Sequence, residues 1–302
     1  MLCRPTNRGV TVLAPAKLNL FLRIVARRSD GFHDIESVMA SISLYDTLTF
    51  EATPSEDIEL KVIDASPRSR LKGMPLEAPA GPGNLVVRAA MLLKEYANCR
   101  MGARICLMKG IPSSAGLGGG SSDCAAALGA LNRLWDLGIP RAKLLELAGK
   151  LGSDVPFFLA DTPVATCSGR GELIEPVRVS ASLHFVVAKG ATGLSTPAVY
   201  RACRPDDQGH SMPRFLKTME TGAICRMAQR LHNGLQPPAE TLSSDVRRLR
   251  SLFEQQPVVG HQMSGSGSAY FGICWNRQHA VKVASHLRAA GVPWVQVVRS
   301  CP

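Results

Sequence analysis

One glycine-rich stretch determines how this chain is interpreted: Pro112-Ser-Ser-Ala-Gly-Leu-Gly-Gly-Gly-Ser-Ser122. It follows a strand-like segment at 103–108 and precedes an alanine-rich helical segment that reaches about residue 135. Glycines let the backbone pass close to a ligand and turn its N–H groups inward. The N-terminus of the following helix, which we expect Ser121 or Ser122 to cap, adds partial positive charge. The stretch therefore predicts a loop that binds the phosphates of a nucleotide.

The stretch does not match the sequence motifs of two better-known phosphate-binding loops. A Walker A loop ends in Gly-Lys-Ser or Gly-Lys-Thr, and that ending is missing here. The dinucleotide fingerprint fails because Ser121 stands where its third glycine belongs. A plain flexible linker is the remaining alternative, but a linker would not need a strand and a capped helix on either side.

Further along the chain, segments typical of strands and helices alternate in two halves. Strands are predicted at 10–13, 18–25 and 41–50, and a proline- and glycine-rich surface loop at 67–83. Single helices are predicted at 215–231 and 241–254 in the second half. The second half also holds the Gly/Ser loop Met263-Ser-Gly-Ser-Gly-Ser-Ala-Tyr270, which alone could equally be a tight turn into a strand. We expect an α+β fold with two domains, residues 1–165 and 166–302.

Composition restricts the function classes. The chain has 302 residues with 45% hydrophobic residues, which predicts an ordinary globular protein, and the absence of a long apolar run predicts no membrane span. Its net charge of +11 fits an anionic partner, either nucleic acid or a phosphorylated small molecule. Scattered basic residues and an aromatic content of 5% disfavour nucleic acid. Nine cysteines without CxxC spacing indicate free thiols, so we expect a soluble cytoplasmic protein.

Three motifs, in order along the chain, resemble the signature motifs of the GHMP kinase superfamily. They are Pro15-Ala-Lys-Leu-Asn-Leu20, the glycine-rich stretch at 112–122, and the Gly/Ser loop at 263–270. The segments Arg27-Arg-Ser-Asp-Gly-Phe-His33, Leu151-Gly-Ser-Asp-Val-Pro-Phe157 and Thr196-Pro-Ala-Val-Tyr200 narrow the resemblance. They are similar to the branch that acts on 4-diphosphocytidyl-2-C-methyl-D-erythritol.

This resemblance implies a two-domain GHMP-kinase fold with the active site in the cleft between the domains. It implies ATP as co-substrate, Mg²⁺, and phosphorylation of the 2-hydroxyl of that cytidine diphosphate compound, giving its 2-phosphate and ADP. The step belongs to the non-mevalonate route to isoprenoid precursors. The substrate carries a diphosphate, so the basic charge needs no nucleic-acid or membrane partner, and the choice between monomer and homodimer stays open.

The resemblance also assigns roles to residues. Lys17 and Asp154 match the catalytic pair: Asp154 would take the proton of a hindered tertiary alcohol, and Lys17 would hold both Asp154 and the hydroxyl. Without the motif, Asp154 would be an ordinary acid in the first turn of a helix. The residues assigned to ATP are Pro112, Ser113, Ser114, Ala115, Gly116, Leu117, Gly118, Gly119, Gly120, Ser121 and Ser122.

Five further residues match positions that bind the acceptor substrate. Phe32 and Tyr200 match the positions that stack on cytosine, and His33 matches the residue at its hydrogen-bonding edge. Asn19 and Thr196 are assigned to the methylerythritol-phosphate end. Taken one by one, each is more often a core or turn residue than a ligand contact.

The remaining assignments are looser. Gly265 and Gly267 are expected to brace the glycine-rich stretch at 112–122, which is called the phosphate loop below. Ser122 is the one candidate to reach the magnesium ion, whose ligands the sequence leaves unknown. Two rival functions stay open. One is a sibling kinase for homoserine or mevalonate, and the other is a nucleotide or nucleic-acid binder that has lost catalysis.

Overall fold

The computed structural model describes residues 1–6, 9–65, 81–179, 182–206 and 208–302. Residues 66–80, most of the predicted surface loop, lie outside the described residues. The elements in chain order are β1 (Leu2–Thr6), β2 (Gly9–Arg27), β3 (His33–Thr53), β4 (Ile58–Asp64), α1 (Leu85–Ala97), β5 (Gly102–Lys109), α2 (Gly119–Leu134), α3 (Arg141–Leu151), α4 (Val155–Leu159), β6 (Val164–Ser168), β7 (Leu173–Pro176), β8 (His184–Lys189), α5 (Thr196–Ala202), α6 (Met212–Glu220), α7 (Ile224–Ala228), β9 (His232–Asn233), α8 (Gln236–Leu242), α9 (Ser244–Glu254), β10 (Gly260–Met263), β11 (Tyr270–Cys274), α10 (Arg277–Ala289) and β12 (Trp294–Arg299).

A long antiparallel hairpin, β2 against β3, forms the spine of the N-terminal sheet, whose main path is β1-β2-β3-β5-β4. The two strands predicted at 10–13 and 18–25 are one continuous strand. The register shifts between Pro15 and Ala16, because proline has no N–H to donate to the ladder, and the pairing resumes beyond it. This bulge lies immediately before Lys17, so it helps to set where that side chain points.

Helices α1 to α4 cover one face of this sheet. The side chains of α2 from Cys124 to Leu128 are buried, and three of them are alanines. Such small side chains let α2 pack closely against α1 and β2. The result is a hydrophobic core that includes Phe50, Leu93 and Phe157.

The C-terminal sheet has the order β10-β11-β8-β12 and is entirely antiparallel. The helices that cover this sheet are shorter and more numerous than the sequence predicts. The single helix expected at 215–231 is two, α6 and α7, because the chain turns at Gly222 with φ 63°. The helix expected at 241–254 is replaced by α8 and α9, because the Ser243 side chain accepts the Val246 N–H and caps a new start.

The two sheets meet through a shared core and a backbone junction. The shared core combines Leu18 and Ile42 of the first sheet with Phe185 and Phe271 of the second. At the junction, the Cys301 N–H donates to the Ser41 carbonyl at 2.8 Å. The domain boundary at residue 165 stays a prediction, and β6 and β7, which pair within the first sheet, favour a position after residue 176. In the described part of the chain, no helix has the length and apolar character that crossing a bilayer requires.

Candidate active site

A cleft of about 770 Å³ brings together nearly all of the predicted site residues. It lies between the phosphate loop, β2, the β2–β3 turn, the start of α4, α5 and the Gly/Ser loop. The predicted residues that line it are Lys17, Asn19, Phe32, His33, Pro112, Ser113, Ser114, Ala115, Gly116, Leu117, Gly118, Gly119, Gly120, Ser121, Asp154, Thr196 and Tyr200. Ser122 is fully buried in the first turn of α2 and is not among the lining residues in the described part of the chain.

The phosphate loop ends earlier than the sequence predicts. Helix α2 begins at Gly119, and Gly118 occupies the capping position with φ 71°, so the predicted caps Ser121 and Ser122 lie inside the helix. A β-carbon on Gly118 would come within 2.9 Å of the Phe158 ring and 3.0 Å of the Lys17 side chain. Glycine is required there both for the backbone conformation and for the close packing. No described side chain caps the first N–H groups of α2, and Gly119, Gly120 and Ser121 at its start line the cleft.

The Gly/Ser loop braces the phosphate loop from the C-terminal half. The Ser264 hydroxyl donates to the Gly116 carbonyl at 3.0 Å, and the Ala269 N–H donates to the Ala115 carbonyl at 3.0 Å. On the opposite side, the Lys17 N–H donates to the Leu117 carbonyl at 2.9 Å. Three consecutive carbonyls of the loop are thus fixed by the protein, which holds the backbone of the loop in place beside the cleft.

Lys17 and Asp154 form an open ion pair at the centre of the cleft. The Lys17 Nζ lies 3.5 Å from the Asp154 Oδ2, and their side chains are 4% and 30% exposed. Lys17 comes from the middle of β2 and is held by the core, whereas Asp154 stands at the N-terminus of α4. The carboxylate is therefore the accessible member, and the ammonium lies behind it.

Asn19 fixes the lysine from the side. Its Oδ1 accepts a hydrogen bond from the Lys17 Nζ, and its Nδ2 donates to the Ser37 hydroxyl at 2.8 Å. The Ser37 hydroxyl in turn donates to the Phe21 carbonyl at 2.7 Å. Because both polar ends of the amide are used by the protein, Asn19 first of all positions Lys17.

The predicted aromatic and histidine residues lie at one end of the cleft. The His33 ring lies 5.3 Å from the Tyr200 ring, and burial lowers the pKa of His33. Phe32 is half exposed, and the Arg170 guanidinium lies 5.0 Å from its ring centroid. Thr196 lies beyond them, its hydroxyl 2.7 Å from the Ser266 hydroxyl. A neutral His33 retains both a donor and an acceptor nitrogen for a base edge.

A second group of charges, not predicted from the sequence, lies under the phosphate loop. The Lys109 Nζ contacts the Asp46 Oδ2 and lies 2.8 Å from the Asp123 Oδ2, and all three side chains are buried. Asp46 also accepts the N–H groups of Gly110 and Ile111 through its Oδ1. Burial, with Asp46 nearby, raises the pKa of Asp123 to about 8. The sequence features that could have indicated this group are Lys109 at the end of β5 and Asp123 directly after Ser121 and Ser122.

Comparison with known proteins shows which family the chain belongs to. Residues 84–162 match the GHMP kinases N terminal domain, and residues 216–293 match the GHMP kinases C terminal domain. The chain is 38% identical to the 4-diphosphocytidyl-2-C-methyl-D-erythritol kinase of Pelotomaculum thermopropionicum, over 92% of this chain and 94% of that one. It is 37% identical to the enzyme of the same name from Polaromonas naphthalenivorans, over 99% and 94% of the two chains.

A solved structure agrees with these relatives. The crystal structure of a 4-(cytidine 5'-diphospho)-2C-methyl-D-erythritol kinase superposes with a TM-score of 0.79 at 35% identity, covering 97% of this chain and all of that one. The chain belongs to the GHMP kinase family, in the group of the 4-diphosphocytidyl-2-C-methyl-D-erythritol kinases. The fold class and the family resemblance predicted from the motifs are therefore confirmed.

Proposed function

We propose that the protein transfers the γ-phosphoryl group of ATP to the 2-hydroxyl of 4-diphosphocytidyl-2-C-methyl-D-erythritol, giving the 2-phosphate and ADP. The observation that carries this proposal is the position of the Lys17–Asp154 pair. It lies in one cleft with the phosphate loop and the aromatic residues Phe32, His33 and Tyr200. One site can thus hold a phosphoryl donor and a pyrimidine-bearing acceptor with a basic group between them.

The reaction needs a group that removes a proton from a tertiary alcohol. Asp154 is the exposed member of the pair, so its carboxylate accepts the proton of the 2-hydroxyl as the oxygen attacks the γ-phosphorus. The bond from that phosphorus to the β–γ bridging oxygen breaks, and ADP leaves. Lys17, fixed by Asn19, lies beside Asp154 and offsets the charge on the transferring phosphoryl group.

The acceptor is held at both ends. Phe32 and Tyr200 supply aromatic surface for the cytosine, and His33 supplies the hydrogen-bonding edge. Arg27, Arg170 and Arg201 also line the cleft, and their charges suit the diphosphate. Thr196 and Asn19 belong to the methylerythritol end, with Asn19 acting through Lys17.

The residues of the cleft fit a magnesium ion beside the phosphate loop. Mg²⁺ is usually held by one or two carboxylates together with substrate phosphates. Asp123 lines the cleft, and among the described residues its buried Oδ1 has no hydrogen-bond partner, so Asp123 is the residue that would hold the ion. When bound, Mg²⁺ neutralises and orients the β- and γ-phosphates. The buried Ser122 is the weaker candidate.

The compartment is also a proposal. Each of the nine cysteines is a free thiol, three of them buried in the core. Free thiols are typical of a reducing compartment. We therefore place the reaction in the cytoplasm, with a small-molecule acceptor as the partner.

The test is ADP release with ATP, Mg²⁺ and 4-diphosphocytidyl-2-C-methyl-D-erythritol, followed by phosphorus NMR of the product. Homoserine, mevalonate and methylerythritol 4-phosphate are assayed beside it. We expect a new phosphomonoester on the 2-position and no turnover of the other three alcohols. Turnover of another alcohol alone would keep the kinase fold and refute the acceptor. Tight ATP binding without any turnover would favour a binding protein.

A further inference from the structure

Asp206, His210 and His232 form a compact polar cluster behind the cleft. Asp206 and His210 lie on the segment between α5 and α6, and His232 lies in the short strand β9, which pairs with β2. In the described part of the chain this is the one group of at least three His, Cys, Asp or Glu side chains whose ligand atoms all lie within 4.8 Å of one another. None of the three is used in the proposed reaction.

The three side chains of the cluster lie close together. The His210 Nδ1 lies 2.9 Å from the Asp206 Oδ2, and the His232 Nε2 lies 3.4 Å from the same oxygen. The two imidazole rings are stacked, with centroids 3.6 Å apart and planes inclined by 13°. Within the described residues the buried His232 Nε2 has no hydrogen-bond partner. A buried ring nitrogen aimed at a carboxylate without a hydrogen bond calls for a further partner.

Two hydrogen bonds hold Asp206 in place. Its backbone N–H donates to the Ile24 carbonyl at 2.8 Å, and its Oδ1 accepts the Gln208 N–H at 2.9 Å. These bonds fix the carboxylate and leave Oδ2 facing the two rings. The Arg23 Nε lies 3.7 Å from Oδ2, but Arg23 also pairs with Glu36 at 3.3 Å, so its charge has a second acceptor.

These donors define the class of ligand. Two imidazole nitrogens and one carboxylate oxygen suit a borderline transition-metal cation, zinc above all, better than Mg²⁺ or Ca²⁺. Ligand atoms about 2.0–2.2 Å from a tetrahedral zinc ion lie about 3.4 Å from one another. The distance from His232 Nε2 to Asp206 Oδ2, 3.4 Å, matches that value, and the distance from His210 Nδ1, 2.9 Å, is shorter. Because the two rings are stacked, one of them must turn for both nitrogens to face the ion.

We propose that Asp206, His210 and His232 bind one zinc-class divalent cation through Oδ2, Nδ1 and Nε2, with water completing the tetrahedron. The bound ion ties the segment after α5 to β2 and β9. Tyr200 on α5 lines the cleft, so the ion stabilises the wall of the acceptor site without touching the reaction. This site is independent of the proposed kinase activity.

The test is a zinc titration of the full chain, freed of metal with a chelator, against a chromophoric competitor in magnesium-free buffer. We expect one zinc ion per chain. His210→Ala and Asp206→Asn should each weaken binding by at least about tenfold. Asp206→Asn keeps a side-chain acceptor for the Gln208 N–H, and His210 is the most exposed of the three ligands, so both variants should fold. Melting in chelator checks this.

The matched control is His286→Ala, an exposed histidine on α10 that should leave zinc binding unchanged. Cobalt(II) substitution separates this site from the nine thiols. We expect the visible bands of a tetrahedral nitrogen–oxygen site without the near-ultraviolet charge-transfer band of thiolate ligands. Absence of zinc binding, binding unchanged in both ligand variants, or a thiolate spectrum would each overturn the proposal.

Discussion

Two lysine–aspartate groups face the same cleft and are built in opposite ways. Lys17 and Asp154 are 3.5 Å apart, and the carboxylate is 30% exposed. Lys109 is enclosed between Asp46 and Asp123, and all three side chains are nearly inaccessible. The open pair leaves its carboxylate accessible to a ligand, whereas in the closed group the Lys109 ammonium is held between two carboxyl groups and supports the loop above it. The two groups contain the same residue types and differ in how accessible their charged atoms are.

The largest expected effect tests whether Asp154 of the open pair accepts the proton of the acceptor hydroxyl. Asp154→Asn keeps the shape of the side chain but removes its basicity, so we expect turnover to fall by about 10²–10⁴-fold. Nucleotide binding and the melting temperature should stay near wild type, because Asp154 is not part of the core. Steady-state kinetics and a thermal melt measure both.

The control for that variant is Asp136→Asn, an exposed aspartate outside the lining of the cleft in the described residues. It should leave turnover unchanged. Wild-type turnover in Asp154→Asn would remove Asp154 from the mechanism and leave the open pair as a structural contact.

The closed group should respond in the opposite way, by losing stability. Lys109→Met leaves Asp46 and Asp123 buried without the lysine that both contact, and breaking such a group costs about 3–5 kcal/mol of the free energy of unfolding. Urea unfolding with an unchanged slope would measure that loss. Lys61→Met on the exposed face of β4 is the matched control and should shift the midpoint little. A stable Lys109→Met protein would contradict the architectural role.

A third variant examines the acceptor end of the open site. Phe32 is half exposed in the cleft, and stacking of a base on an aromatic ring contributes about 1–3 kcal/mol. Phe32→Ala should therefore raise the KM for the cytidine substrate by about 5–150-fold at nearly constant kcat. The KM for ATP should not change. Tyr96→Ala, an exposed aromatic on α1, is the control, and an unchanged acceptor KM would refute stacking on Phe32.

The last prediction concerns the proton on Asp123. Its pKa is about 8 in the folded protein against 3.8 for the free side chain, because the carboxyl is buried beside Asp46. Between these values the folded state holds one proton more than the unfolded state, so stability falls as pH rises towards 8 and stops falling above it. Asp123→Asn mimics the protonated form. It should be more stable than wild type at pH 6, where the unfolded wild type has already lost this proton, and it should lack this pH dependence.

Urea midpoints at pH 6, 7.5 and 9 test the Asp123 prediction, with Asp136→Asn as the control. A wild-type stability that rises with pH through this window would contradict it. The same Asp123→Asn protein tests the magnesium proposal, because its affinity for Mg²⁺ with ATP should fall while nucleotide binding without metal persists.

How far the sequence leads depends on how local each feature is. Lys17, the glycine-rich stretch and Asp154 were predicted from short motifs, and the structure brings them into one cleft. The Lys109 group was not predicted, because Asp46 and Lys109 are 63 positions apart and only the pairing of β3 with β5 brings them together. The start of α2 was misplaced because serine is a good cap, whereas here a left-handed glycine allows closer packing.

The braces on the phosphate loop have a consequence for how the enzyme is made. Lys17 is synthesised early and the loop itself before the middle of the chain, but Ser264 and Ala269, which hold Gly116 and Ala115, emerge near the end. Chains fold from the N-terminus as they leave the ribosome. The nascent protein therefore carries the phosphate loop without these two braces until the C-terminal sheet is in place.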